Sequence, residues 1–199
     1  MQQSTSRQLY AYWDRVRNGR LAPLRFEIEP ARIASLLPET FIAECEGLLS
    51  YRFRLAGTRI CEHFGKELRG GDLLALWEPN DRHALASLLR HVVSDAAAGE
   101  VLFEASTDAG RQAHFELVVM PLIHAGPTVN RLLGAITAID PPFWLGSTPL
   151  VRLSMVDMHL IWPDGDPSPV GASPPPAGQA AKVVNLAAKR FRVYQGGGN

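Results

Sequence analysis

The stretch GEVLFEASTDAGRQAHFELVVMPLIHAGPTVNRLLGAITAID, residues 99–140, decides the fold. It holds three strand-like segments in succession. In the first, Val101, Phe103 and Ala105 share one face. In the second, Ala113, Phe115, Leu117 and Val119 do, with His114 and Glu116 opposite. In the third, Leu132, Gly134, Ile136 and Ala138 alternate with Leu133, Ala135, Thr137 and Ile139. Side chains of a strand alternate with period two, so each segment offers one face to a core. The turn Asp108-Ala109-Gly110 is short and contains Gly, as hairpins prefer. The strands are therefore adjacent and antiparallel, and their sheet needs apolar cover. The segment just upstream supplies it. From Asp81 to Ala98 the sequence predicts a long helix stopped by Gly99, with Leu85, Leu88, Leu89, Val92, Val93 and Ala96 within roughly 140° on a 3.6-residue wheel. This element order is not that of a nucleotide-binding α/β enzyme.

Further outward, Arg7 to Asn18 reads as a helix whose stripe is Leu9, Tyr12, Trp13 and Val16, with Gly19 as its stop. Leu21 to Glu29 is extended, and Pro30 opens a short helix that Pro38 closes. Two strands follow, Thr40 to Cys45 and Tyr51 to Leu55, the second alternating Tyr51, Phe53 and Leu55 against Arg52 and Arg54. Thr58 caps a helix from Arg59 to Phe64, and Gly65 ends it. Asp72 to Trp77 reads as one further helical turn. Beyond Pro141-Pro142 the pattern changes. Pro163 to Gly178 holds six Pro and three Gly in sixteen residues, which marks a linker or disordered tail. Val183 to Tyr194 reads as a basic docking helix or strand carrying Lys189, Arg190 and Arg192, with Lys182 just before it.

A length of 199 residues allows one well-cored domain with appendages. Apolar content of 46% and charged content of 20% are those of a soluble globular protein. Formal net charge is zero, unevenly spread: residues 1–25 carry five basic and one acidic side chain, 26–140 ten and sixteen, 141–199 five and three. An acidic folded part argues against a nucleic-acid binder, which shows a basic stripe there. Cys45 and Cys61 lack metal-ligand spacing and suit a reducing compartment. Neither a signal peptide nor an apolar run of spanning length stands out, so a cytoplasmic protein is expected, without membrane contact.

The order helix, two strands, short helices, one long helix, three strands resembles the PAS fold. More narrowly, the chain resembles a family of short bacterial proteins built around a single variant PAS domain. The matching residues are Tyr12-Trp13 with Arg17, Gly19 and Arg20 ahead of Pro23, then Pro30 and Leu37-Pro38. The run Tyr51-Arg52-Phe53-Arg54-Leu55-Ala56-Gly57-Thr58 is the most specific, continuing through Phe64-Gly65 to Leu68 and Gly70. Pro121-Leu122 and Leu132-Leu133-Gly134-Ala135 complete it, so the resemblance covers about residues 8–142. It implies an α+β fold: a five-stranded antiparallel sheet covered by short helices and one long helix, with an N-terminal flanking helix and a small internal pocket. The division that follows is residues 1–29 as helix and lead-in, 30–142 as the PAS-like domain, and 143–199 as a C-terminal extension. The resemblance implies a sensory or regulatory module without catalytic activity. It would act by binding a small molecule, or by docking to a signalling partner such as a histidine kinase or a cyclic-dinucleotide enzyme. A small-molecule carrier and an enzyme of the cone-shaped α+β dehydratase type are the alternatives; the latter needs a His and a carboxylate pointing into one cavity.

The candidate pocket residues are Phe53, Leu55, Ile60, Phe64, Trp77, Leu88, Val92, Phe103, Phe115, Leu117 and Ile136. They read first as plain core, and as a lined cavity only on the sharper reading. Leu9, Tyr12, Trp13 and Val16 are the dimer candidates, because an aromatic stripe outside the sheet has no assured partner in its own domain; folding back on that sheet is the alternative. Haem-binding PAS domains take an axial His from the long helix, but His91 and His83 lie far from its apolar stripe, so haem is not expected. Flavin is not expected either, because Arg59-Ile60-Cys61-Glu62-His63 lacks the Asn-Cys-Arg context of flavin-binding relatives. Glu62-His63 diverge by a helical step. His114 and Glu116 share a strand face expected to meet solvent or a second copy, with no nucleophile nearby. No metal site and no phosphate loop is evident.

Overall fold

The computed structural model describes residues 1–47 and 49–164 and the backbone of residues 183–185. The strands are β1 (Thr40–Cys45), β2 (Tyr51–Ala56), β3 (Ala98–Ser106), β4 (Gln112–Leu122), β5 (Arg131–Ile139), β6 (Arg152–Ile161) and β7 (Val183–Asn185). All pair antiparallel in one sheet of order β2-β1-β5-β4-β3-β6-β7. The five expected strands are all there, and β6 and β7 extend the sheet past β3. The segment read as an extension beyond residue 142 thus supplies a full-length strand, so the folded unit runs on to residue 164. The rest of the Pro/Gly-rich stretch, and the basic segment after Asn185, lie outside the described residues.

One face of the sheet, the front, is covered by α2 (Thr58–Phe64), the 3-10 turn Leu73–Leu76 and α3 (Pro79–Ser94). Leu85, Leu88, Leu89 and Val92 of α3 are buried against it, as the helical stripe predicts. The helix ends four residues earlier than the sequence suggests: Ala96 turns the chain with a left-handed φ of 54°, and Gly99 already belongs to β3. Gly99 serves packing instead of termination. A Cβ there would come within 2.5 Å of Leu88 Cδ2 and 2.9 Å of Val119 Cγ2, so its absence lets α3 sit tight on the strands.

The back face carries α1 (Ser4–Arg17). Here the stripe expected at a dimer surface is instead packed on the chain's own sheet, the alternative reading. Leu9, Tyr12 and Trp13 are buried and Val16 half-buried, packed with Ile42, Val118, Met120, Leu122 and Leu133 of the chain's own sheet. The Trp13 indole N–H donates to the Pro121 carbonyl at 2.8 Å, and the Tyr12 hydroxyl accepts from the Glu29 N–H at 2.8 Å. The stripe finds its partner within the chain, because the back face of β4 and β5 is apolar too: the runs Val118-Val119-Met120 and Leu132-Leu133 feed both faces at once.

The Leu55 expectation is corrected. It is 40% exposed, while Tyr51 and Phe53 are buried on the front. The register slips between Ile42 and Ala43, which pair with Leu55 and Phe53, leaving Arg54 as an extra residue. Past such a bulge the alternation inverts, so Leu55 leaves the front face and Ala56 takes its place.

Candidate functional site: an aromatic row on the front face

Phe53, Ile60, Phe64, Trp77, Leu88, Val92, Phe103, Phe115, Leu117 and Ile136 all lie in one front-face cluster. Within it four rings form a row. Trp77 lies 4.9 Å from Phe103, Phe103 stacks on Phe115 at 5.2 Å and 15°, and Phe115 meets the His63 ring edgewise at 5.5 Å. Phe103 and Phe115 are direct cross-strand partners, which fixes the middle of the row. The ends come from elsewhere. Trp77 follows the 3-10 turn, whose start is capped by Asp72 accepting the Leu74 N–H at 2.8 Å; Trp77 then bridges to Leu153 of β6. His63 comes from α2, held close by Gly57, where a Cβ would meet the Leu37 and Pro38 carbonyl oxygens at 2.3 Å. The His63 carbonyl accepts the Leu150 N–H at 2.9 Å, tying the helix to the chain leading into β6.

Both ends of the row carry a buried nitrogen without a hydrogen-bond partner: Nε1 of Trp77 and Nδ1 of His63. Leaving such a group unpaired costs about 1–3 kcal/mol. Burial pushes the His63 pKa below its ordinary 6.5, so the ring is neutral at neutral pH and offers one donor and one acceptor. The indole offers a donor only. Phe64 and Leu150 also line a depression of about 240 Å³ between the end of α2 and Leu76, open to the surface beside the row.

His63 enters the sequence reading only as a neighbour of Glu62 in a rejected acid–base pair, and its place in the row was missed. Its signal was present: Ile60, His63 and Phe64 share the i, i+3, i+4 face of α2, and all three are buried. The other candidates sit elsewhere. His91 is at the surface, its Nδ1 2.7 Å from Asp95 Oδ2. His83 is exposed and lines a depression of about 290 Å³ with Asp72, Leu74 and Arg82. Neither ring enters the front core. The Cys45 thiol is pushed up to about 11 by burial, and burial raises that of Cys61 as well. Among the described residues no group of three or more His, Cys, Asp or Glu is placed to hold a metal ion.

Glu116 does not meet solvent, contrary to expectation. It is fully buried on the back face, where its carboxylate accepts the N–H groups of Gln2 and Gln3 ahead of α1. Glu100, on the neighbouring strand and also buried, pairs with the Met1 amino group; burial raises its pKa. These carboxylates hold the start of α1 on the sheet. His114, on the same face, is exposed.

A helix-flanked antiparallel sheet in the order β2-β1-β5-β4-β3, with ring-lined packing between sheet and helices, is a sensor-type architecture. The family model for the PAS domain matches residues 1–137, and the chain belongs to that family. At the general level of the family, it is a sensory or regulatory module. A search of curated proteins finds no match. No helix among the described residues is long and apolar enough to cross a membrane.

Proposed function

We propose that this PAS protein senses a small molecule held at the aromatic row, and that occupancy is read by a signalling protein docked to the domain, such as a histidine kinase or cyclic-dinucleotide enzyme, in the cytoplasm. One observation carries the reading: the two ends of an otherwise apolar ring row each hold a buried nitrogen without a hydrogen-bond partner. A flat ligand sliding against Phe103 and Phe115, with an acceptor for the Trp77 N–H and a group complementary to neutral His63, would satisfy both. The entry proposed for it is the depression beside Phe64, the residue next to His63 in the chain. The reading is a binding role without catalysis. A dehydratase-type site would need His63 and a carboxylate together, and the buried carboxylates Glu100 and Glu116 stand on the other face of the sheet.

Native mass spectrometry of freshly purified protein, with thermal melts, tests it. A bound small molecule is expected on the wild type and is weakened by Trp77→Phe, which removes the donor and keeps the ring. Should the wild type carry no adduct, and should Trp77→Phe and His63→Phe each simply raise the melting temperature, the row is ordinary core and the sensor reading is wrong.

A further inference from the structure

The loop after β5 presents an aromatic side chain to solvent in a way the rest of the fold does not explain. Phe143 is 99% exposed. It is not on a loose loop. Pro141 and Pro142 stiffen the approach, Trp144 behind it is buried in the front core, and the turn is closed by Leu145 N–H to the Pro142 carbonyl and Ser147 N–H to the Trp144 carbonyl, each at 3.0 Å. Immediately beside it, Pro142, Ile139, Leu102 and Val156 line a depression of about 330 Å³. The depression lies on the end of the sheet that α1 leaves open, and Val156 within it is itself 49% exposed. Its polar lining includes His114 and Asp140.

We infer that this knob and hole are a homodimer contact, Phe143 of each copy entering the depression of the other. A two-fold interface is self-complementary, so it needs a projecting group and its receptor side by side on one surface, with the axis passing between them. Phe143 and the depression meet that requirement. The rim meets it as well: across the axis, the His114 imidazole of one copy can donate to the Asp140 carboxylate of the other, so the polar groups pair without a second kind of protein. A phenylalanine buried this way removes on the order of 150–250 Å² from water, twice per dimer. The contact replaces the α1 stripe as the dimer surface. Phe143 and Val156 lie beyond the residues matched to the PAS family, Leu102 and His114 lie within them, and the depression also touches Phe103 and Phe115 of the aromatic row, although the contact needs no ligand there.

Sedimentation of the full chain over a concentration series tests the inference. The wild type should dimerise, and Phe143→Glu should weaken the dimer by roughly 30-fold or more, as loss of an interface anchor does. Phe143 touches solvent, so the melting temperature of the diluted monomer should not change. Val156→Lys should also give a monomer. Mixing the two variants should restore a dimer, because the introduced carboxylate of one then meets the introduced ammonium of the other while the second knob and hole stay native. A wild-type chain that remains monomeric would assign this face to another protein or to the chain's own residues 165–199, and overturns the inference. So does a dimer unmoved by Phe143→Glu.

Discussion

His63 shows how much one buried ring can set. In the unfolded chain it titrates near its ordinary value of 6.5; in the fold, burial holds it neutral to lower pH. The unfolded state therefore takes up the proton first. The stability that goes with a neutral ring is fully present above about pH 6.5 and is lost as pH falls toward the depressed folded value. Melting temperature should fall between about pH 7 and pH 5 more steeply for the wild type than for His63→Phe; parallel curves would mean that the ring is not kept neutral by burial. Leu55 teaches the opposite lesson about legibility. Its alternation with Tyr51 and Phe53 is unbroken in sequence, yet it faces outward because the chain carries one extra residue against β1. A bulge is a property of two strands aligned together, so one strand's pattern does not reveal it.

At the scale of elements, α1 and β6 carry the departures from expectation, and each has its reason in what it packs against. Trp13 is fully buried, bonds to Pro121 and lies beneath the Arg17 guanidinium, 5.4 Å from its ring. Trp13→Ala should cost about 3–5 kcal/mol of stability, measured by denaturant unfolding. A dimer interface residue would instead change mass with little loss of monomer stability. Arg17, itself buried, reaches across to grip Asp164 with two hydrogen bonds of 2.7 and 2.8 Å, joining the end of α1 to the residues after β6. Strand β6 pairs with β7 only through His159, Leu160 and Ile161, and the fold blunts the edge left along the rest of it. Glu78 N–H donates to the Leu153 carbonyl at 3.1 Å, and the Met155 N–H is capped by Asp81 at 2.8 Å. Exposed strand edges invite pairing with other chains. Asp81→Ala should therefore raise the aggregation rate on mild heating, followed by light scattering, more than it lowers stability. A variant that unfolds and aggregates in step would refute this.

For the molecule as a whole, the boundary of the folded unit is the decisive matter. Trp144, Leu150, Leu153, Met158 and Leu160 are all buried in the front core, and β6 pairs with β3 along its length. A chain ending at residue 142 should fail to give a cooperative melt, whereas one ending at residue 164 should melt as the full chain does; a stable 1–142 fragment would show that β6 is dispensable. Sequence alone determined the antiparallel sheet, the covering helix α3 and the apolar composition of the front core, because strand and helix periodicities are local and survive in one dimension. It also located the Trp77, Phe103 and Phe115 positions as buried. Only the tertiary structure decided that α1 closes on its own sheet and that Arg152–Ile161 is a strand of that sheet. It alone set His63 and Trp77 as the two ends of one ring row and left Phe143 outside. These depend on which surfaces meet, and the meeting residues lie far apart along the chain. Burial of a side chain is settled by the partner face, and that face is written elsewhere in the sequence.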